Sequence, residues 1–160
     1  MFKSSENSSF EALGKTVRGA RKHLETFPKP EGVTNVIMTS HEFTSVCPIT
    51  GQPDFGSVEI SYRPRDKCLE SKSLKLYLMT FREAGTFCEA LAAEIARDVQ
   101  EVLDAECVKV TVTQVPRGGV GIKAEALTWK TLVDPAKMIS IHNQEGEIVA
   151  KVSLSRRCRT

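Results

Sequence analysis

The spacing of apolar residues changes period twice along this chain, and that succession leaves few folds open. Val58, Ile60 and Tyr62 alternate with Ser57, Glu59, Ser61 and Arg63, as along a strand with one buried face. Pro64 cannot donate to a ladder and ends the run. Over residues 69–81 the period becomes helical, with Leu74, Tyr77, Leu78 and Phe81 at i, i+3, i+4 and i+7, while Lys72 and Lys75 lie off that stripe. Gly85 interrupts, and Thr86-Phe87-Cys88-Glu89 opens a second helix whose Phe87, Leu91, Ile95, Val99 and Val102 share a face. Alternation then returns. Val108, Val110 and Val112 stand between Lys109, Thr111 and Thr113, and after the turn PRGG (116–119) come Val120, Ile122, Ala124 and Ala126. Ahead of all this, residues 33–43 mix β-branched and polar side chains without clean alternation.

The order is therefore strand, strand, helix, helix, strand, strand, with hairpin-length connections inside each strand pair. It predicts an α+β fold in which both helices cover one face of an antiparallel four-stranded sheet. Such a sheet leaves its other face and two edges bare, and bare edges invite pairing with further copies, so oligomerisation is expected. The 160 residues are read as one domain: a polar, serine-rich flexible segment over 1–20, a core over 24–127 and an extension over 128–160. In the extension, Ile139 and Ile141, then residues 148–154 around Gln144-Glu145-Gly146, suggest a small hairpin.

No apolar run is long enough to span a bilayer, and the start MFKSSENSSF has no signal-peptide core, so a cytoplasmic protein is expected. Its five cysteines are then read as thiols, and their spacings of 21, 20, 19 and 51 residues form no zinc-ribbon or CxxC pattern. A net charge of +2 says little about partners, and the basic tail SRRCRT is read as a solvated terminus, not a nucleic-acid contact.

Two segments carry the chemistry. CPITGQPDF (47–55) holds a thiol, two prolines, a glycine and a carboxylate in a tight turn, and ESKSLKLY (70–77) places two lysines three apart on a helix. Together they suggest a covalent nucleophile, Cys47, beside an anion site. Each residue also has a plainer reading: Cys47 as a small buried hydrophobe, Asp54 as a turn cap, Glu70 and Ser71 as a helix start, Lys72 and Lys75 as a solvated face, and Thr86-x-x-Glu89 as a capping box. Arg117-Gly118-Gly119 offers a guanidinium fork with backbone amides that can approach an anion. No GxGxxG stands between a strand and a helix, so no Rossmann domain is expected.

CPITGQPDF, ESKSLKLY, FREAGTFCE (81–89) and PRGG together resemble the single-domain branch of the nitrile reductases that convert 7-cyano-7-deazaguanine to 7-aminomethyl-7-deazaguanine in queuosine biosynthesis, over residues 24–126. The resemblance implies the tunnelling fold, in which ββααββ subunits close their sheets into a barrel, assembled here as two stacked pentamers. It implies that Cys47 adds to the nitrile as a thioimide reduced with two NADPH, and that Asp54 is the general acid and proton shuttle. Leu69, Glu70, Ser71 and Cys88 would border the deazapurine, with Glu89 accepting hydrogen bonds from its guanine-like edge. Lys72, Lys75, Arg117 and Gly118 would hold NADPH. The family usually has histidine where this chain has Cys88, which throws more of the proton transfer onto Asp54 and allows a protective Cys47–Cys88 disulfide. Three other readings are a related amidinotransferase acting on transfer RNA, a zinc-dependent GTP cyclohydrolase using His41, Cys47 and Cys88, and a non-catalytic purine-binding ring protein.

Overall fold

A computed structural model describes residues 19–130, 138–142 and 148–153; the expected flexible segment lies outside the described residues apart from Gly19 and Ala20. The long strands are β2 (Val36–Val46), β3 (Pro53–Arg63), β5 (Cys107–Arg117) and β6 (Val120–Trp129). They form one four-stranded sheet in the order β2-β3-β5-β6, antiparallel at every pairing. Two short strands, β1 (Thr26–Pro28) and β4 (Lys67–Leu69), pair with each other and frame the approach to the first helix. That helix, α1, spans Ser71–Leu78 and tightens into a 3-10 turn over Met79–Phe81; α2 spans Cys88–Leu103.

The alternating residues of the strands and the stripes of the helices meet in one core. Val58, Ile60, Tyr62, Val108, Val110 and Val112 point from the sheet to Leu91, Ile95, Val99 and Leu103 of α2 and to Leu74, Tyr77 and Phe81 before it. Tyr77 and Phe81 meet edge to face, with ring centroids 5.3 Å apart. Ile95 and Val99 are fully buried. Truncating Ile95 to alanine removes buried methylenes and leaves a cavity, at a cost of about 2–5 kcal/mol. The α2 chain turns out at Asp104, which takes the left-handed conformation (φ 48°) and is held by Lys130 at 2.6 Å.

Several boundaries differ from the sequence reading, each for a local reason. Leu69 belongs to β4, opposite Thr26, so α1 starts at Ser71 and not at 69. Phe87 is the residue before α2 and stands 58% exposed, off the apolar face it was expected to share. Val120 and Ile122 are exposed because they sit at the turn end of the β5–β6 hairpin; Ala124 is the first residue of β6 that the core buries. Cys47, Cys68 and Cys88 are thiols as expected, whereas Cys107 is disulfide-bonded. The expectation for Cys107 rested on compartment, which says nothing about which sulfurs the fold brings together. The extension forms its hairpin: β7 (Met138–His142) pairs with β8 (Ile148–Ser153), while the expected turn residues Gln144, Glu145 and Gly146 lie outside the described residues.

Candidate active site

Cys47 sits in the six-residue turn that joins β2 to β3. Its N–H donates to Gln52 O at 2.8 Å, and Gly51 N–H donates to Cys47 O at 2.9 Å, a closure that needs Gly51 at φ 69°. The turn is pinned from behind by the segment between the helices. Val46 N–H donates to Ala84 O at 3.1 Å, and Thr86 N–H donates to Val46 O at 3.2 Å. This geometry wraps donors around the sulfur. The Thr50 hydroxyl, then the N–H groups of Thr50 and Ile49, and then the Arg117 guanidinium bring the Cys47 thiol down to about 7 against a small opposing effect of burial. A thiol so placed is substantially thiolate near neutral pH, and its partial exposure leaves it open to attack an electrophile.

Asp54, the second residue of β3, follows directly after the turn and is only 4% exposed. Its Oδ2 accepts from Gln114 Nε2 at 3.3 Å, and its Oδ1 forms an ion pair with Arg117 Nη1 without accepting a hydrogen bond of ordinary geometry. Ser45 stands opposite Asp54 in the β2–β3 ladder, and its buried Oγ has no hydrogen-bond partner among the described residues. With Ser45 Oγ unpartnered among the described residues and Asp54 Oδ1 met only by the Arg117 charge, this end of the β2–β3 ladder keeps polar capacity in reserve. Cys88, the first residue of α2, is buried with its Sγ 3.6 Å from Val112 O. Burial pushes its thiol up, and the charges of Glu89 and Asp54 push the same way. The two cysteines thus differ in kind: Cys47 is activated and Cys88 is not. Glu89 is exposed on the first turn of α2. The plainer capping-box reading of Thr86 and Glu89 does not hold, because Phe87 and not Thr86 precedes the helix, so the carboxylate is not committed to the helix start.

The second segment is built differently. Glu70 caps α1 with both carboxylate oxygens, accepting from Lys72 N–H at 2.8 Å and Ser73 N–H at 2.7 Å. Leu69 is buried and donates its N–H to Tyr62 Oη at 2.9 Å, while Ser71 is exposed. Beside α1 runs a groove of about 420 Å³ whose floor includes Leu74, Leu78 and Met79 and whose cations are Lys75 and Arg82, with Ser71 and His41 on its lining. Glu42 also lines it, and the apolar floor with the two cations suits an extended phosphate-bearing ligand such as a dinucleotide. Lys72 does not line the groove, and neither does Arg117, which the structure groups with Asp54. Gly118, at φ 57°, stands in the open turn beside Arg117. His41 and Cys88 lie in different parts of the molecule, and among the described residues no three His, Cys, Asp or Glu side chains gather as metal ligands.

Thr50, Gln114, Ser45 and Arg82 escaped the sequence reading. Thr50 left a usable trace, a hydroxyl three residues after the thiol and just before a glycine, where Ser and Thr fold back on a turn. Gln114 left one too, as a polar residue at an inward position of an alternating strand.

The chain is also similar to known proteins. The family model described as QueF-like protein matches residues 53–131. A protein of Syntrophus aciditrophicus (strain SB) named NADPH-dependent 7-cyano-7-deazaguanine reductase is 47% identical over 116 residues, covering 71% of this chain and 82% of the relative. A protein of the same name from Frankia casuarinae is 45% identical over 114 residues, covering 71% of this chain and 91% of its own. Among solved structures, an archaeosine synthase QueF-Like in the apo form superposes with a TM-score of 0.58 at 26% identity, over 61% of this chain and 96% of that one. The alternating strands, the paired helices and the activated turn at Cys47 therefore sit in a chain that belongs to the QueF-like family.

Proposed function

We propose that this chain is an NADPH-dependent 7-cyano-7-deazaguanine reductase, reducing the nitrile to an aminomethyl group in queuosine biosynthesis through a thioimide on Cys47. The observation that carries the reading is a partly exposed Cys47 in a tight turn, its thiol lowered to about 7 chiefly by Thr50, with the strand that follows starting on the buried carboxylate Asp54. A nitrile carbon is a poor hydride acceptor, and prior addition of a thiolate makes it a better one. As Cys47 Sγ bonds to that carbon, the triple bond becomes a double bond and the nitrogen takes a proton. Asp54 carries this proton from the thiol to the nitrogen. NADPH supplies hydride, and two equivalents are needed because nitrile to amine is a four-electron reduction.

Lys75 and Arg82 hold the cofactor phosphates in the groove beside α1, with Lys72 on the same helix and Arg117 and Gly118 of the β5–β6 turn as further partners. Glu89 accepts from the guanine-like edge, with Cys88 behind it and the exposed Ser71 completing the purine site; Leu69 and Glu70 shape that border from within. The groove beside α1 does not include Cys47, so thiol and groove come together in this reading only with neighbouring copies. Among the described residues β2 and β6 each pair with one strand of the sheet, β2 meeting the segment between the helices at Val46 alone, so their remaining edges suit closure into a barrel of two stacked pentamers.

The identities of 43–47% to reductases against 26% to the archaeosine synthase favour reduction over transfer chemistry. Purified protein mixed with 7-cyano-7-deazaguanine and NADPH should consume NADPH only when the nitrile is present and yield the aminomethyl product by mass. Nitrile consumption without NADPH oxidation would replace this reading with the transferase one.

A further inference from the structure

The inner face of the sheet is apolar at Val58, Ile60 and Tyr62 and at Val108, Val110 and Val112, and it turns polar at the end beside the Cys47 turn. There Ser45, Asp54 and Gln114 stand on three neighbouring strands, all buried. Polar side chains at the end of a hydrophobic core cost stability unless each has a partner or a task. Gln114 commits its amide to Asp54, Nε2 donating to Oδ2 at 3.3 Å, the one side-chain hydrogen bond that this carboxylate accepts among the described residues. The ladder opens the way for it. Gly56 stands opposite Gln114, and a Cβ there would fall 2.1 Å from Thr113 O, so no side chain intervenes and the amide crosses to Asp54 two residues along β3. A carboxylate only accepts, so the amide must turn its NH2 group toward it.

We propose that Gln114 is a positioning residue for the reaction, holding Asp54 in the orientation from which it carries the proton. This rests on the reading of Cys47 as nucleophile and Asp54 as proton carrier. When the thiol adds, its S–H bond breaks, the S–C bond forms, and the proton passes through Asp54 to the nitrile nitrogen. With Oδ2 held by Gln114, the oxygen left for that proton is Oδ1, which is buried and accepts no hydrogen bond of ordinary geometry. A neutral amide can stay on Oδ2 throughout, because that oxygen still accepts when the proton sits on its neighbour. The other partner of Asp54 is less constant. Arg117 is partly exposed and, in the function proposed above, serves the cofactor phosphates, so a guanidinium drawn to them leaves the carboxylate. Gln114 is buried on the inner face and remains, and it fixes the direction of Asp54 while the cofactor is bound.

The test is the rate at which Cys47 takes up 7-cyano-7-deazaguanine, followed by rapid quenching and intact-protein mass spectrometry, with NADP+ present to fill the cofactor site without supplying hydride. Gln114→Met keeps the length of the side chain but has no N–H, and it should slow adduct formation roughly tenfold while the thermal midpoint changes little. On an Asp54→Asn background the same replacement should cost less than about twofold more, because the group it positions is gone. Gln114→Glu sets an acceptor against an acceptor in the same shape; it should be at least as slow as the methionine variant, and it serves if that variant does not fold. A Gln114→Met rate within about twofold of wild type, or a loss repeated in full on the Asp54→Asn background, would overturn the proposal and leave Gln114 a packing residue. Failure of the underlying reading shows separately, as an unaltered rate in Asp54→Asn alone, and would remove both.

Discussion

Asp54 and Glu70 are both buried carboxylates at the start of a regular element, yet the chain uses them in opposite ways. Glu70 spends both oxygens on backbone N–H groups at 2.7 and 2.8 Å, in a fixed geometry that any change of protonation would break. Asp54 has one long bond to a glutamine and one ion pair to an arginine that is 44% exposed on its side chain. A carboxylate tied to the main chain is structural; one tied to side chains that can adjust is free to carry a proton. The difference lies in the partners and not in the residue type or the degree of burial.

The comparison breaks most readily at Asp54. Asp54→Asn keeps size and burial but cannot accept and release a proton, so kcat should fall by roughly 10²–10⁴-fold with little change in thermal midpoint. An enzyme that keeps more than a tenth of its activity would show that Asp54 is a structural cap after all. Glu70→Ala should do the reverse, lowering stability by about 1–2 kcal/mol in chemical denaturation while the folded fraction keeps most of its kcat. A large loss of affinity for the nitrile substrate with unchanged stability would move Glu70 to the binding side. Thr50→Val sharpens the contrast at the thiol. The sulfur is lowered to about 7 chiefly by the Thr50 side chain, so thiolate appears as pH rises through that value. Removing the hydroxyl should shift the alkylation midpoint to higher pH and slow labelling at pH 7 severalfold, with rates converging above pH 9. Lys75→Ala has the smallest expected effect, a KM for NADPH raised on the order of tenfold with kcat nearly unchanged.

The periodicities made much of the fold legible, since Val58, Ile60 and Tyr62 and then Leu91, Ile95 and Val99 could bury their side chains in only one arrangement. What escaped were elements whose reason lies elsewhere in the chain. The three-residue strands β1 and β4 exist only because they pair with each other, and Leu69 alone gives no hint of Thr26. The candidate site was legible as parts: Cys47 and Asp54 stood out in one turn. Arg117 was read as a cofactor-binding residue, and its ion pair with Asp54 was not legible, because it depends on a ladder whose close approach at Gly56 no local spacing announces. Glu70 and Glu89 show the same limit. Both looked like helix-start residues from spacing, and only the actual helix boundaries commit the first and release the second.

The most direct measurement is intact-protein mass spectrometry after incubation with 7-cyano-7-deazaguanine in the absence of NADPH. Addition of a thiol to a nitrile loses no atoms, so the protein should gain the full mass of the substrate, the adduct should map to the peptide containing Cys47, and Cys47→Ala should show none. An adduct on another residue, or nitrile-dependent NADPH oxidation that persists in Cys47→Ala, would contradict covalent catalysis at this turn.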